Sequence, residues 1–215
     1  MTDIDEIMRP TDAVVFDIGN VLIEWHPERF YDRAIGEERR RALFDAIDLN
    51  GMNEAIDRGA PFRDTIYKVA DRHPEWEADI RRWHDEWIEM ASPAIPHTVA
   101  LLRELRSKGI PCFALTNFGT GSFAYAETQY PFLTEFDRRF VSGQLGVTKP
   151  APRIYEIVEG ESGVEPGHIL FTDDRAENID AAKARGWQTH LFDGPEGLAA
   201  RLVEEGLLSE AEAAW

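Results

Sequence analysis

Cysteine is almost absent from this chain, which has Cys112 alone among 215 residues. A single thiol cannot form an internal disulfide or a thiolate metal site, and such usage is typical of the reducing cytosol, so we expect a cytoplasmic protein. Long apolar runs are also absent. No stretch approaches the roughly 20 apolar residues of a membrane-spanning helix, and Met1–Pro10 lacks the apolar part of a signal peptide. We therefore expect neither a transmembrane segment nor a leader.

Basic residues are in the minority. Lysine and arginine total 23 against 40 aspartates and glutamates, which gives a formal net charge of −17 at pH 7. A surface of that charge repels nucleic-acid phosphates and anionic membranes, so we exclude both as partners. A negative protein that binds a negative small molecule needs a local reversal of potential, most simply a divalent cation. The sequence leaves open whether the chain is a monomer or a homodimer.

Short apolar runs alternate regularly with helical patterns along the chain. The runs are rich in β-branched and aromatic residues, as are the buried strands of a parallel sheet. Strands are predicted at Ala13–Asp17, Ile110–Leu115, Arg139–Val141, Ile169–Phe171 and Thr189–Phe192. Helical patterns lie between them, and several end at glycine. This alternation predicts an α/β fold with a doubly wound parallel sheet.

One stretch interrupts the alternation. From about Pro27 to Met90 the sequence has helical patterns and no strand signal. Turns are expected there at Asn50-Gly51, Gly59-Ala60-Pro61 and His73-Pro74. Tryptophans at helical spacing are expected to form its apolar core: Trp76, Trp83 and Trp87. We interpret residues 24–92 as an all-helical insert, and residues 1–23 with 93–215 as one α/β core domain.

Polar side chains follow several of the predicted strands, at or near the point where each strand ends. They are Asp17, the pair Thr116-Asn117, Lys149 in a loop before Pro150, and the pair Asp173-Asp174. Because ligands of open parallel sheets bind at the carboxyl ends of the strands, we expect these side chains to share one edge. Each alone has an ordinary explanation, such as a helix cap or a solvated turn. Their order and placement together indicate a site.

These residue types suit phosphoryl transfer, which needs positioning and charge neutralisation. Asp17 is the candidate nucleophile. Lys149, the Thr116 hydroxyl and the Asn117 amide are expected to bind the phosphoryl oxygens, since all three can donate hydrogen bonds at a strand end.

The paired carboxylates indicate a cation. Adjacent carboxylates repel each other, and this usually implies a bound cation or a solvated turn. We expect one Mg²⁺ between Asp17 and Asp174, with Asp173 and the Gly19 backbone carbonyl as further candidate ligands. The sequence does not distinguish a direct ligand from a supporting carboxylate at Asp173.

The chain resembles the haloacid dehalogenase (HAD) superfamily through four motifs in the family's order. The motifs are Asp17-Ile18-Gly19-Asn20-Val21, Thr116-Asn117, Lys149-Pro150, and Asp173-Asp174 with Asn178. The chain is similar to a subgroup that includes bacterial glucose-1-phosphate phosphatases. The resemblance implies a Rossmann-like core, a mobile helical C1 cap at the position of the insert, Mg²⁺, and an aspartyl-phosphate intermediate. It also implies a small phosphorylated substrate, with sugar phosphates as one candidate class.

The cap would decide which substrate enters. By the resemblance, Gly19 and Asn20 of the first motif would lie against the substrate, beneath the cap. Asn53, Asp57 and Arg58 precede Gly59 at a predicted helix end and are candidate specificity residues. An ordinary solvated helix terminus explains these side chains equally well.

Gly19 departs from the common family pattern, in which a second aspartate two residues after the nucleophile acts as general acid and base. Such a group contributes about 10²–10⁴-fold in rate. Either another group replaces it, or the enzyme is slow or depends on good leaving groups. Candidates are His26, Glu24 and Asp57, of which histidine has the most suitable ordinary pKa. Without a replacement, we expect activity to depend steeply on leaving-group pKa. Glycine at this position is also a candidate for positive φ.

Two other functions use the same residues. A 2-haloacid dehalogenase would use the Asp17 nucleophile on carbon and needs no metal, but Asp173 and Asp174 would then repel its carboxylate substrate. A non-catalytic binding protein could keep the fold after losing the acid and base. Retention of Asp17, Lys149 and Asp174 argues against such decay.

Overall fold

The computed structural model describes residues 10–215, so the expectation about Met1–Pro10 lies almost wholly outside the described residues. One five-stranded parallel sheet has the strand order β3-β2-β1-β4-β5. Its strands are β1 (Ala13–Phe16), β2 (Cys112–Thr116), β3 (Arg138–Val141), β4 (Ile169–Asp173) and β5 (Gln188–Leu191). The predicted doubly wound α/β fold is confirmed. The strand order reverses between β1 and β4, and such a switch point is where open sheets bind ligands.

The central strand β1 is buried on both faces. Val14 and Phe16 belong to the larger apolar core, which continues into the helices inserted after β1. Ala13 and Val15 belong to a second core on the opposite face of the sheet. Alternate side chains of a strand point to opposite faces, so a strand covered on both sides must be apolar at every position.

Six helices occupy the insert. They are α1 (Pro27–Ile35), α2 (Glu37–Ala46), α3 (Leu49–Asp57), α4 (Phe62–Arg72), α5 (Glu77–Asp85) and α6 (Trp87–Met90). The predicted turn at Asn50-Gly51 is wrong, because α3 begins there: the Asp48 side chain caps it by accepting from the Gly51 N–H at 2.8 Å. The expected tryptophan core is confirmed for Trp83 and Trp87, which are buried, and Trp76 packs against the same cluster.

Helices on both faces of the sheet complete the core domain. They are α7 (Pro96–Ser107), α8 (Thr120–Gln129), α9 (Ser142–Leu145), α10 (Pro152–Ser162), α11 (Ala176–Ala184), α12 (Pro195–Glu204) and α13 (Glu210–Ala213), with 3₁₀ turns at Pro131–Thr134 and Pro166–His168. Among the described helices, none has both the length and the apolar character needed to cross a membrane.

Two connecting segments join the insert to the core side by side. The Glu24 N–H of the outgoing segment donates to the Pro93 carbonyl of the returning segment at 2.9 Å. The Ile95 N–H of the returning segment donates to the Leu22 carbonyl at 2.8 Å. Ile23 forms an antiparallel bridge to Ala94 between them. Because both connections leave the core beside the end of β1, they hold the inserted helices over the switch point of the sheet.

Candidate active site

Asp17 lies immediately beyond β1, at the switch point of the sheet. Its backbone N–H donates to the Thr172 carbonyl at 2.9 Å, so strand pairing extends to this residue. Its Oδ1 accepts from the Ile18 N–H at 2.7 Å and lies 2.9 Å from the Lys149 Nζ. Among the described residues, none bonds to Oδ2, so this oxygen is available to attack a substrate or to bind a cation.

Lys149 is almost completely buried, with 3% of its surface exposed. Its ammonium lies 2.9 Å from Asp17 Oδ1 and 2.6 Å from Asp173 Oδ2. Burial alone would lower the pKa of Lys149, but the two carboxylates hold it above its ordinary value. The ammonium is therefore a fixed positive charge beside the candidate nucleophile.

The Asn117 side chain positions the loop that carries Lys149. Its amide donates to the Lys149 carbonyl at 3.0 Å, and its oxygen accepts from the Lys149 N–H at 2.8 Å. These two bonds position Lys149. The side-chain NH₂ has a second N–H and Asn117 lines the cavity, so the binding of a phosphoryl oxygen by this amide stays a prediction.

The two neighbouring carboxylates at the end of β4 have different surroundings. Asp173 is fully buried and accepts from Lys149, from the Arg175 N–H and from the Asn178 amide. Asp174 is less buried and accepts from the Asn20 amide at 3.0 Å. Asp173 is thus engaged mainly in orienting Lys149, whereas Asp174 keeps free acceptor capacity towards Asp17.

Three carboxylates, Asp17, Asp173 and Asp174, bring one oxygen each within 4.8 Å of one another. Burial raises the pKa of Asp17 to about 7, with Lys149 opposing the rise and repulsion from Asp173 adding to it. Burial also raises the pKa of Asp174. A single ammonium does not neutralise this cluster, and clustered carboxylate oxygens are the donor type that Mg²⁺ prefers. The residues present therefore fit a hard divalent cation.

The Thr116 hydroxyl is a buried polar group without a partner. Thr116 ends β2 at the same edge as Asp17 and lines the cavity in front of it. Its residue is 1% exposed, and its Oγ1 makes no hydrogen bond with any of the described residues. A buried hydroxyl without a partner is costly, so an oxygen-rich ligand in the cavity would satisfy it.

Gly19 needs no special backbone conformation. Its φ lies outside the left-handed region, and a Cβ built on it would meet no atom within 4 Å. The expected positive φ occurs instead at Asn20, where φ is 56°. The Asn20 side chain accepts from the Trp25 N–H at 2.9 Å and donates to Asp174. Nothing near the backbone of Gly19 therefore excludes a larger residue there.

A cavity of about 600 Å³ opens above Asp17, between the sheet edge and the insert. Ile23, Trp25, Trp83, Trp87 and Phe118 form an apolar part of its wall, and α3 contributes polar side chains from Asn50 to Arg58. A volume of this order accommodates a small-molecule ligand rather than an ion alone.

A family model described as haloacid dehalogenase-like hydrolase matches residues 11–186. The chain belongs to this hydrolase family. Phosphatase MT3486 of Mycobacterium tuberculosis is 30% identical over 192 residues, covering 84% of this chain and 87% of its own. The D-ribitol-5-phosphate phosphatase of Bacteroides thetaiotaomicron is 25% identical over 186 residues, covering 82% and 89%.

A solved structure of a HAD-family enzyme from the same Bacteroides species, in complex with magnesium and inorganic phosphate, has the same fold. Its TM-score is 0.69 at 19% identity, covering 86% of this chain and 95% of that one. The predicted HAD-like hydrolase, with phosphatases among its relatives, is confirmed. The resemblance to glucose-1-phosphate phosphatases in particular stays a prediction.

The HAD motif residues meet at one edge of the sheet. The candidate replacements for the general acid missing at Gly19 do not all lie in the cavity. His26 does not line the cavity; its side chain is 46% exposed and lies 3.5 Å from Glu24. Glu24 lines the cavity but pairs with Arg29 at 2.8 Å. Asp57 lines the cavity from the end of α3 and is partly exposed.

The other specificity candidate, Arg58, also lines the cavity of this HAD-like hydrolase. It is 57% exposed and pairs with Glu54 at 3.1 Å. Asn53, which also precedes Gly59, lines the cavity too. Trp25 is a cavity residue that was not predicted, although it lies five residues after Asn20 of the first motif.

Proposed function

We propose that this HAD-like hydrolase is a Mg²⁺-dependent phosphomonoesterase that acts through an aspartyl-phosphate on Asp17. The observation that carries the proposal is the arrangement of a partly unengaged Asp17 carboxylate, a buried Lys149 ammonium and an unpartnered Thr116 hydroxyl at one edge of the sheet. These are a nucleophile and two donors, which a phosphoryl group requires.

The reaction has two steps. Asp17 Oδ2 attacks phosphorus, the bond from phosphorus to the leaving oxygen breaks, and an acyl phosphate forms. Water then attacks phosphorus, the bond to Asp17 breaks, and inorganic phosphate leaves. Lys149 and the Thr116 hydroxyl hold the phosphoryl oxygens in both steps. When bound by Asp17 and Asp174, with the Gly19 carbonyl and Asp173 as candidate ligands, Mg²⁺ supplies positive charge against the phosphoryl oxygens.

We further propose that the leaving group is a small hydroxylated metabolite, with sugar phosphates as the leading class. The α3 side of the cavity offers amides and carboxylates that can bind hydroxyl groups, such as Asn50 and Asn53. Residues 24–92 would form the cap that selects this group. A haloacid is a poorer candidate because Asp174 adds negative charge to the cavity that its carboxylate would enter.

The test is a screen of phosphorylated metabolites with Mg²⁺ and with excess chelator. We expect turnover with Mg²⁺ and none with chelator. Asp17→Asn should abolish this turnover. The control Asp45→Asn, which alters an exposed aspartate of α2, should leave it unchanged. Beryllium fluoride, an acyl-phosphate mimic, should attach at Asp17 in the unsubstituted protein. Equal activity in chelator, or substantial activity of Asp17→Asn, would refute the proposal.

A further inference from the structure

One carboxyl of the cavity wall lies outside the cluster at the sheet edge and forms no ion pair with any described residue. A leaving alkoxide needs a proton as its bond to phosphorus breaks, and the space beside Gly19 contains no side chain that could give one. A side-chain donor for this proton would lie elsewhere on the cavity wall, within reach of a leaving group bound beneath the insert.

Three acidic side chains of the cavity wall lie outside the cluster at the sheet edge: Glu24, Glu54 and Asp57. Glu24 is committed to Arg29 at 2.8 Å, and the exposed Glu54 is committed to Arg58 at 3.1 Å. Asp57 forms no ion pair with any described residue. Its Oδ2 accepts from the Asn53 amide at 3.0 Å, and that amide is held in turn by the Trp83 indole.

The backbone of Asp57 is hydrogen-bonded to the core domain, although Asp57 belongs to the insert. The Ser142 hydroxyl donates to the Asp57 carbonyl at 2.6 Å and accepts from the Phe118 N–H at 2.9 Å. Phe118 follows Thr116 by two residues, so one hydroxyl joins the Asp57 turn to the loop that carries the proposed phosphate donor. The Gly119 N–H of the same loop faces the Asp57 carboxylate.

Glycines allow this close approach. A Cβ on Gly119 would lie 2.3 Å from the Ile56 side chain, next to Asp57 in sequence. A Cβ on Gly59, two residues after Asp57, would lie 2.8 Å from the Gly143 carbonyl. Insert and core are thus packed backbone against backbone at this point, and the Asp57 carboxyl has a defined position relative to Thr116.

We infer that Asp57 gives the proton to the leaving oxygen in the first step and takes one from the attacking water in the second. The inference rests on the proposed phosphatase function. As the bond from phosphorus to the leaving oxygen breaks, the Asp57 carboxyl transfers its proton to that oxygen and becomes a carboxylate. The carboxylate then accepts a proton from water as the water oxygen bonds to phosphorus, which restores the starting state.

The electrostatics of Asp57 agree with this role. Burial, with repulsion from Glu54 added, raises its pKa to about 7 against the opposing effects of the Gly119 N–H and Arg58. The core segments packed against it, around Gly119 and Ser142, carry no charged side chain. A carboxyl with this pKa is protonated in a large fraction of molecules at neutral pH, which is the state that a proton donor needs.

The experiment compares leaving groups. For a series from nitrophenyl to alkyl phosphates, with chemistry shown to be rate-limiting, the unsubstituted enzyme should give a shallow plot of log(kcat/KM) against leaving-group pKa. Asp57→Asn should give a steep plot, losing about 10²–10⁴-fold on alkyl phosphates and far less on nitrophenyl phosphate. Asp45→Asn should match the unsubstituted enzyme. Gly19→Asp, which the open space permits, should restore a shallow plot in the Asp57→Asn background.

Each outcome decides the matter. A steep plot for the unsubstituted enzyme would overturn the inference, whether or not the Asp57→Asn protein folds. An equal loss on every substrate would also overturn it, because that pattern indicates a structural role. In both cases Mg²⁺-dependent turnover would leave the proposed function intact. Absence of turnover in the unsubstituted enzyme would instead remove the proposed function and this inference together.

Discussion

Removing the buried ammonium of Lys149 should destabilise the fold strongly, because two buried carboxylates lie beside it. Replacing it by methionine keeps a flexible chain of similar length and so avoids a large cavity. The change leaves Asp17 and Asp173 facing each other without their shared cation, which lies 2.9 and 2.6 Å from their oxygens. The perturbation is therefore mainly one of charge.

The magnitude follows from burial. Removing one partner of a buried ion pair costs about 3–5 kcal/mol, because the remaining charge is uncompensated in a poorly solvated place. In a protein of this size each kcal/mol lowers the melting temperature by about 2–4 °C, so we expect a fall of roughly 6–20 °C. The loss should be smaller at pH 5 than at pH 8. Lys149 opposes the rise in the pKa of Asp17, so without it the folded-state pKa of Asp17 rises further, and stability present at low pH is then lost as the pH increases.

Urea unfolding followed by tryptophan fluorescence measures the effect at both pH values. The control is Lys68→Met, which makes the same substitution at an exposed position of α4 and should change stability by less than about 0.5 kcal/mol. If Lys149→Met unfolded within about 1 kcal/mol of the unsubstituted protein at pH 8, the uncompensated-charge reasoning would be wrong.

Three further outcomes are expected. Thr116→Val removes a buried hydroxyl without a partner, so it should raise the free energy of unfolding by about 1 kcal/mol while lowering kcat/KM. The control is Thr172→Val, at another buried hydroxyl without a partner, which should also stabilise the fold but leave kcat/KM unchanged. Burial raises the pKa of Asp57 to about 7, which should lower the free energy of unfolding by about 4 kcal/mol between pH 4 and 8; in urea unfolding, the decline measured for Asp57→Asn should be smaller by about that amount. Mg²⁺ should displace a proton from Asp17 near pH 7, so its affinity should rise from pH 6 to 8 and its calorimetric heat should vary with the buffer.

The sequence was sufficient for the sheet and for the sheet-edge residues of the site. Strands such as β1 are buried on both faces, so their apolar runs are unbroken, and the polar residue that ends each run is conspicuous. Asp17, Thr116 and Asp173 were found in this way. The turn expected at Asn50-Gly51 was wrong because the Asp48 cap, which is a local interaction, outweighs the tendency of these residues to form turns.

The roles of several residues depend on contacts that no local pattern contains. The Asn117 amide bonds to the backbone of Lys149, 32 positions away, and this positioning contact could not be predicted from the sequence. Asp57 looked as much like a solvated helix terminus as a functional residue. Its position beside the core depends on the close approach of Gly59 to the Gly143 carbonyl and of Gly119 to Ile56, and only the folded chain brings these segments together.

The charge of the site connects the proposed cation with the proposed proton donor. With Asp17, Asp173 and Asp174 ionised and Lys149 protonated, these four residues sum to −2, and a phosphate monoester dianion adds −2. Each pair of like charges about 4 Å apart costs about 4 kcal/mol at an effective dielectric constant of 20, so such a site would reject its substrate. A bound dication brings the formal charge of these four residues from −2 to zero. This charge balance supports Mg²⁺ independently of the family resemblance. A protonated Asp57 adds no further repulsion when the substrate binds, and becomes negative only as the leaving oxygen takes its proton.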